Sequence, residues 1–242
     1  MDANHERSLR DVARLQALKR TGLMDSLPEA SYDRFARLAA RLTASPSAFI
    51  SLVSDQRQFF KATHGQEDSL RETPLTHSFC QYVASTGQPL AVEDARHHPT
   101  VKDNPAIKDS NVIAYLGSPL LAQGKCIGSL CVIDSQPRRW GWADRQALND
   151  LAACINSEIE LCLTTALSQR LAELMPALVY LADTVTGEIL FRNQAARGYD
   201  LTPLGELDEV ELTNAEGAVH RFSHRWVAFG EDQRLGMATR HG

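Results

Sequence analysis

The sequence predicts an α+β protein: an antiparallel sheet flanked by helices, a long connecting helix, and a second, smaller antiparallel sheet. Three observations carry this. Residues 6–42 repeat apolar side chains at helical spacing, whereas from Ala48 onward the runs shorten and fill with β-branched and aromatic residues. Between Trp142 and Leu174 neither Pro nor Gly occurs, and apolar residues recur every three or four positions. After Pro176 short strand-like runs return, separated by turn residues.

Taken in order, ERSLRDVARLQALKR (6–20) reads as one helix, with Leu9, Val12, Ala13 and 15–18 near helical spacing and Gly22 as its stop. A second helix starts at Pro28-Glu29, where Pro suits the first turn and Glu the positive dipole end. Tyr32, Phe35, Leu38, Ala39 and Leu42 form its apolar stripe, and Pro46 closes it. Residues 47–62 read as a hairpin turning at Ser54-Asp55-Gln56. Thr76 is a good N-cap for a helix over 77–86, which Gly87 ends. Residues 90–94 are strand-like, and 95–111 form a polar loop of functional length with room for a short helix. Strands over 112–121 and 126–134 are joined by Gln123-Gly124-Lys125.

The helix from Trp142 would run for about 48 Å at 1.5 Å per residue. One domain of this size rarely buries so long a helix. It reads as a connector whose seam, through Leu148, Leu151, Ile155, Ile159 and Cys162, pairs with a second copy of the chain. Two helices broken near Thr164-Thr165 are the alternative. Beyond Pro176, 178–183 and 189–193 pair about Thr186-Gly187-Glu188, and 194–198 hold a helical turn or two at most. Strands follow at 209–213, 218–229 and 233–239; in the second, Val219, Arg221, Ser223, Arg225 and Val227 alternate with His220, Phe222, His224, Trp226 and Ala228, as a sheet requires. The chain is therefore expected to divide into residues 1–140, a connector 141–175 and a short module 176–242.

Composition bounds the function. The chain has 242 residues, 43% hydrophobic and 23% charged, which is enough for real cores and leaves no room for extensive disorder. Its net charge of −5 argues against a nucleic-acid partner, since phosphate neutralisation needs clustered Lys and Arg. No apolar run approaches the roughly 20 residues that span a bilayer, and MDANHERSLRD is too polar for a signal peptide. The 5 cysteines are scattered and suit a reducing compartment better than a disulfide framework. A soluble, cytoplasmic protein with no membrane and no nucleic-acid partner is expected.

No GxSxG, P-loop, GxGxxG, HExxH or CxxC motif occurs, so no catalytic residue and no metal site are assigned. His77 and Cys80 are three apart at a predicted helix start, where a neighbouring imidazolium and the helix end could lower the thiol pKa. A reactive thiol or a metal or haem contact there competes with a plainer reading, a small buried Cys beside a hydrogen-bonded His. Adjacent His97 and His98 diverge and read as loop surface. Cys126 and Cys131 are an odd number apart on one strand, hence on opposite faces, which disfavours a disulfide. His220 and His224 share a strand face with Trp226, as sheet surface or pocket lining.

RLQALKRTGLMDSLPEASYDRFARLAARLTASPSAFISLVSDQRQFFKATHG resembles the start of bacterial GAF domains, and ETPLTHSFCQYVASTGQPLAVEDARHHPTVKDNP and YLGSPLLAQGKCIGSLCVIDSQPR resemble the rest, over residues 6–167. The resemblance implies a twisted antiparallel sheet with the first, second and last helices on one face. On the other, the 77–86 helix and the 95–111 loop would roof a small-molecule pocket. It also implies a sensory or regulatory module, commonly dimeric through flanking helices, that feeds kinases, cyclases or transcription factors. By position it makes Phe60, His77, Cys80, Tyr82, Asp94, Tyr115, Ser118 and Cys131 pocket candidates. The cofactor or ligand stays unknown. Bilin-binding relatives attach chromophore through a Cys following the segment equivalent to 107–115, and no Cys lies between Cys80 and Cys126, which speaks against covalent bilin. The cyclic-nucleotide signature of the family has no counterpart here. Free-methionine-sulfoxide reductases share the fold, and Cys80 could match one of their cysteines, but their later loop cysteine is missing. Residues 176–239 more weakly resemble a PAS domain, through PALVYLADTVTGEILFRNQAAR and VELTNAEGAVHRFSHRWVAFGEDQRLGMAT; the stretch 198–207 is too short for the helices that cradle a PAS cofactor.

The sequence thus predicts a non-enzymatic sensor that binds a small molecule, dimerises through its connector and signals to a kinase, cyclase or regulator supplied in trans, unless the chain is a fragment of a longer protein. Two rivals remain: a thiol-based redox enzyme or sensor using Cys80, and an interaction scaffold with a collapsed pocket.

Overall fold

The computed structural model describes residues 3–66, 71–201, 209–228 and 232–240. Of the expected features, residues 202–207 of the short PAS-like middle and Phe229 of the 218–229 strand lie outside them. The chain forms two compact units, Met1–Leu163 and Thr164–Gly242.

The first unit contains α1 (Ala3–Leu9), α2 (Val12–Thr21), α3 (Ala30–Leu42), β1 (Ser47–Val53), β2 (Arg57–His64), β3 (Glu72–Pro74), α4 (Cys80–Thr86), β4 (Leu90–Val92), α5 (Ala106–Asp109), β5 (Ala114–Ala122) and β6 (Lys125–Asp134), and α6 (Trp142–Leu174) begins in it. The strands make one sheet in the order β3-β2-β1-β6-β5-β4, with every pairing antiparallel. β1 is buried along its whole length because both faces of the sheet are covered. Ile50 and Leu52 face a core shared with α2, α3 and α6. Phe49 and Val53 face a second core with α1, α4 and α5. Gly128 lets β6 lie against β1, since a Cβ there would sit 2.0 Å from the Ser51 carbonyl oxygen. Gln123 and Gly124, with φ of 50° and 71°, close the β5–β6 hairpin in the left-handed conformation that a tight two-residue turn needs.

Several expected elements are corrected. The helix over 6–20 is two helices: Asp11 caps α2 by accepting from Ala13 N at 3.0 Å. The break sends Leu9 into the core beneath α4, while Ala17 and Leu18 pack under the opposite face. The first helix therefore does not lie on one face with α3 and α6; only its second part does. In α3 the buried stripe is Tyr32 with the small residues Ala36, Ala39 and Ala40, and Leu38 and Leu42 are exposed. The helix ends at Thr43, whose hydroxyl donates to Ala39 O, before Pro46 is reached. Thr76 is not an N-cap: Leu75–His77 form a 3-10 turn, α4 begins at Cys80, and Ser78 Oγ accepts from Gln81 N. On β6 the ladder skips Ile127, placing Cys126 opposite Leu121 and Gly128 opposite Leu120. That extra residue restores parity, so Cys126 and Cys131 both border the core under α4 rather than facing opposite ways.

α6 is continuous over 33 residues, without a break at Thr164-Thr165. Leu148, Ile155 and Ile159 are at most 2% exposed within the single chain, and Leu151 packs against the same core. Polar groups lock this half of the helix to β5: Asn149 Oδ1 accepts from Ser118 Oγ at 2.6 Å and Asn156 Oδ1 from Leu121 N at 2.8 Å. The apolar residues expected to form a seam with a second copy are thus committed to their own domain, and Cys162 is exposed.

The second unit has β7 (Leu178–Asp183), β8 (Ile189–Arg192), β9 (Glu209–Thr213), β10 (Val219–Ala228) and β11 (Gln233–Arg240), ordered β8-β7-β11-β10-β9 and antiparallel throughout. Tyr180, Leu212 and Phe222 centre its core. His224 is buried there, stacked on Tyr180, and His220 meets the Tyr199 ring edge-on. Asn193, fully buried, ties the entry to the sheet: Oδ1 accepts from Val179 N and Ala196 N at 3.0 Å, and Nδ2 donates to Ala172 O and Ala177 O at 2.9 Å. Among the described residues, no helix is long and apolar enough to cross a membrane.

Candidate functional site

On the sheet face away from α2, α3 and α6, the sheet and its cover leave a cavity of about 290 Å³. Alternation along the strands builds its base. Phe49 and Ser51 come from β1, Gln58 and Phe60 from β2, and Cys131 and Ile133 from β6, each pair two residues apart and hence on one face. α4 brings Cys80, and the segment through α5 brings Asp109 and Val112. The volume sits at the small end of ligand pockets.

At the edge of the cavity His77 Nε2 lies 3.0 Å from Asp109 Oδ2, while His77 Nδ1 is 2.9 Å from Thr76 Oγ1. This contact joins the 3-10 turn to α5, and Asn104 Nδ2, donating to Ser78 O at 3.2 Å, ties the same two segments a second time. Gln58 is held on both sides, accepting from Ser78 Oγ and donating to Thr73 Oγ1.

The wall behind them is unusual for a core. Cys80 Sγ is 3.5 Å from Cys131 Sγ; Tyr115 Oη donates to Cys80 Sγ at 3.4 Å and lies 3.2 Å from Ser129 Oγ. Ser51 Oγ, also buried, has no hydrogen-bond partner. Burial opposes ionisation of Cys80, but Cys131, Ser51, Tyr115 and Ser129 can all donate to its thiolate and together bring it down to about 7. One thiolate then suppresses the next: Cys80, and after it burial, holds Cys131 well above the ordinary thiol range. Burial followed by the two sulfurs does the same to Tyr115.

Of the residues expected at the pocket, Phe60, His77, Cys80, Tyr115 and Cys131 line it. Tyr82, Asp94 and Ser118 do not. Tyr82 is on the outer side of α4, its ring 4.9 Å from that of His5. Asp94 caps the Ala95–His97 turn and pairs with Arg96, which holds its carboxyl well below the usual range. Ser118 points to the opposite face, where α6 takes it. Ser51, Gln58 and Asp109 were missed, although strand parity with Phe49 and Phe60 marks the first two. His97 lies 3.3 Å from Asp94 on the loop. Among the described residues, no group of three or more His, Cys, Asp or Glu could hold a metal ion.

A family model for the GAF domain matches residues 27–159, more than half of the chain. The chain belongs to the GAF domain family. GAF domains are a signalling-domain family, and the cavity lies within the matched segment. A cyclic di-GMP phosphodiesterase of Pseudomonas aeruginosa is 35% identical over 119 residues, 48% of this chain but 20% of that protein. The chain therefore spans about a fifth of that relative's length. Among solved structures, the GAF domain of an Acinetobacter phosphoenolpyruvate-protein phosphotransferase is 20% identical and covers 65% of this chain and 96% of its own, with a TM-score of 0.48. Free methionine-R-sulfoxide reductase from Neisseria meningitidis is 17% identical, covering 62% and 89%, with a TM-score of 0.47.

Proposed function

We propose that this GAF domain is a sensory module that takes a small ligand into its cavity and passes occupancy through α6 to a partner protein supplied in trans. The observation that carries the reading is the cavity itself, walled by Phe49, Phe60 and Tyr115 and offering hydrogen bonds from Ser51, Gln58 and His77. Such a wall suits a compact, partly flat molecule with a few polar groups. The His77–Asp109 contact gives occupancy a route to the cover, because a ligand that competes for His77 loosens one of the two ties between the 3-10 turn and the α5 segment. The second unit, a small PAS-like sheet, serves protein contact in this reading, and the chain works as a homodimer in the cytoplasm. With Leu148, Ile155 and Ile159 buried, the surface for a second copy is the later stripe Leu167, Leu171 and Leu174, exposed by 59%, 57% and 80% at helical spacing.

Mass spectrometry of small molecules released from the full chain, purified from its native host, tests the ligand. One compound should accompany the protein in stoichiometric amount and be lost from a folded Ser51→Phe variant. An empty wild-type protein would favour the ligand-free scaffold. Sedimentation at micromolar concentration tests the dimer, which Leu167→Asp with Leu171→Asp should split; a monomeric wild-type chain would remove it.

A further inference from the structure

We propose that Cys80 and Cys131 form a peroxide-reactive dithiol: a small hydroperoxide entering the GAF cavity is reduced there, and the pair closes into a disulfide. The two cysteines are far apart in sequence, one opening α4 and one in the middle of β6, yet their sulfurs are in contact at 3.5 Å. A disulfide needs about 2.0 Å. The remaining approach of about 1.5 Å has to come from movement of the two side chains and of the turn that carries Cys80. Both residues line the cavity, so a molecule of peroxide size reaches them although each is almost fully buried.

The surroundings fit the chemistry better than they fit packing. An ordinary core would fill this position with aliphatic groups, because buried polar atoms cost free energy unless they are paired. Here Ser51, Tyr115 and Ser129 place three hydroxyls around two thiols, and the buried Ser51 Oγ has no hydrogen-bond partner of its own. The thiolate is the nucleophile toward peroxides, and such a cluster of donors supports it without a cation.

The electron count closes within the pair. The Cys80 thiolate attacks the distal peroxide oxygen; the O–O bond breaks, the leaving alkoxide or hydroxide takes a proton, and Cys80 becomes a sulfenic acid. The Cys131 sulfur then attacks the Cys80 sulfur, the S–O bond breaks, and the hydroxyl leaves as water with the Cys131 proton. Two thiols are oxidised to one disulfide, and one hydroperoxide is reduced to an alcohol, or to water, plus water. This inference does not rest on the sensory reading and would survive its failure, since the pair needs only the cavity.

The test uses the full chain with Cys126, Cys154 and Cys162 changed to Ser, so that only the pair remains. After treatment with equimolar hydrogen peroxide, peptide mapping without reductant should show Cys80 linked to Cys131 in most molecules, and dithiothreitol should reverse the link. Changing Cys131→Ala in that background should leave Cys80 as a sulfenic acid that dimedone traps. The unmutated chain, mapped in the same way, gives the same answer should a variant fail to fold. The proposal is overturned if both thiols stay free under an exposure that oxidises the exposed Cys154 of the unmutated chain. It is equally overturned if Cys80 passes to sulfinic acid while Cys131 remains a thiol.

Discussion

The two sheets solve the same problem differently. In the GAF domain both faces are covered, so β1 is buried at every position and the unit carries two cores. In the second unit β9 alternates between exposed and buried residues along its whole length, and the described residues form one core. A sheet with two covers can leave part of one cover unfilled, which is where the 290 Å³ cavity lies. The single core of the second sheet is packed by Tyr180, Leu212 and Phe222, with His224 and Trp226 against the Tyr180 ring. Coverage of both faces is what allows the GAF domain to hold a site.

Five substitutions and a pH profile would sharpen or break this contrast. The largest effect is expected from the tight glycines. Gly128→Val drives a side chain into the β1 backbone and should cost about 3 kcal/mol or more, losing the GAF domain in urea melts. Gly236→Ala puts a Cβ about 2.2 Å from the buried Tyr180 ring, which His224 and Trp226 hold, and should cost about 2 kcal/mol. Equal losses would mean that both sheets are equally rigid.

Next, α6 should behave as two helices energetically. Ile155→Ala, with no exposure, should lose about 3 kcal/mol by the cavity it leaves, against less than about 0.5 kcal/mol for Leu171→Ala measured in the monomer. A large effect of Leu171→Ala would show that the later stripe is already packed. In the second unit, Asn193→Ala leaves several buried backbone groups unpaired and should cost about 2 kcal/mol while cavity binding in the GAF domain is unchanged.

The smallest effect is a pH profile. Below pH 7 the rate of peroxide consumption should rise about tenfold per pH unit and then level off, because the Cys80 thiolate forms as pH passes about 7. A rate still climbing at about pH 9 would show that burial outweighs the surrounding donors, leaving the thiol in its ordinary range.

Much of this architecture was legible in the residues. The 47–62 hairpin, the Gly22 and Gly87 stops and the unbroken helix from Trp142 follow from local chemistry, and the structure has all of them. Local signals failed where two tertiary partners competed for one segment. Leu9 and Leu18 sit at compatible helical spacing, but they serve opposite sides of the sheet, which a single straight helix cannot do. Leu38 and Leu42 are apolar by type, yet the helix is turned so that Tyr32, Ala36, Ala39 and Ala40 are buried instead. In the site, Ser118 and Tyr115 were both expected at the pocket; they are an odd number apart on β5, and parity alone separates them.

The sequence by itself determined the kind of protein this is: its element types, its family, the absence of an apolar span in its described helices, and Phe60 and Tyr115 of the aromatic wall of the cavity. Those properties depend on residue type and short-range period, which a single chain displays directly. Only the tertiary structure decided which face each residue serves. One skipped residue on β6 turned Cys126 toward the same core as Cys131, and the meeting of α4 with β6 set Cys80 beside Cys131. It also placed the apolar run of α6 in the GAF core instead of at a seam between two copies. Contacts of that kind are set by packing between distant segments, where a shift of one residue exchanges one face for the other.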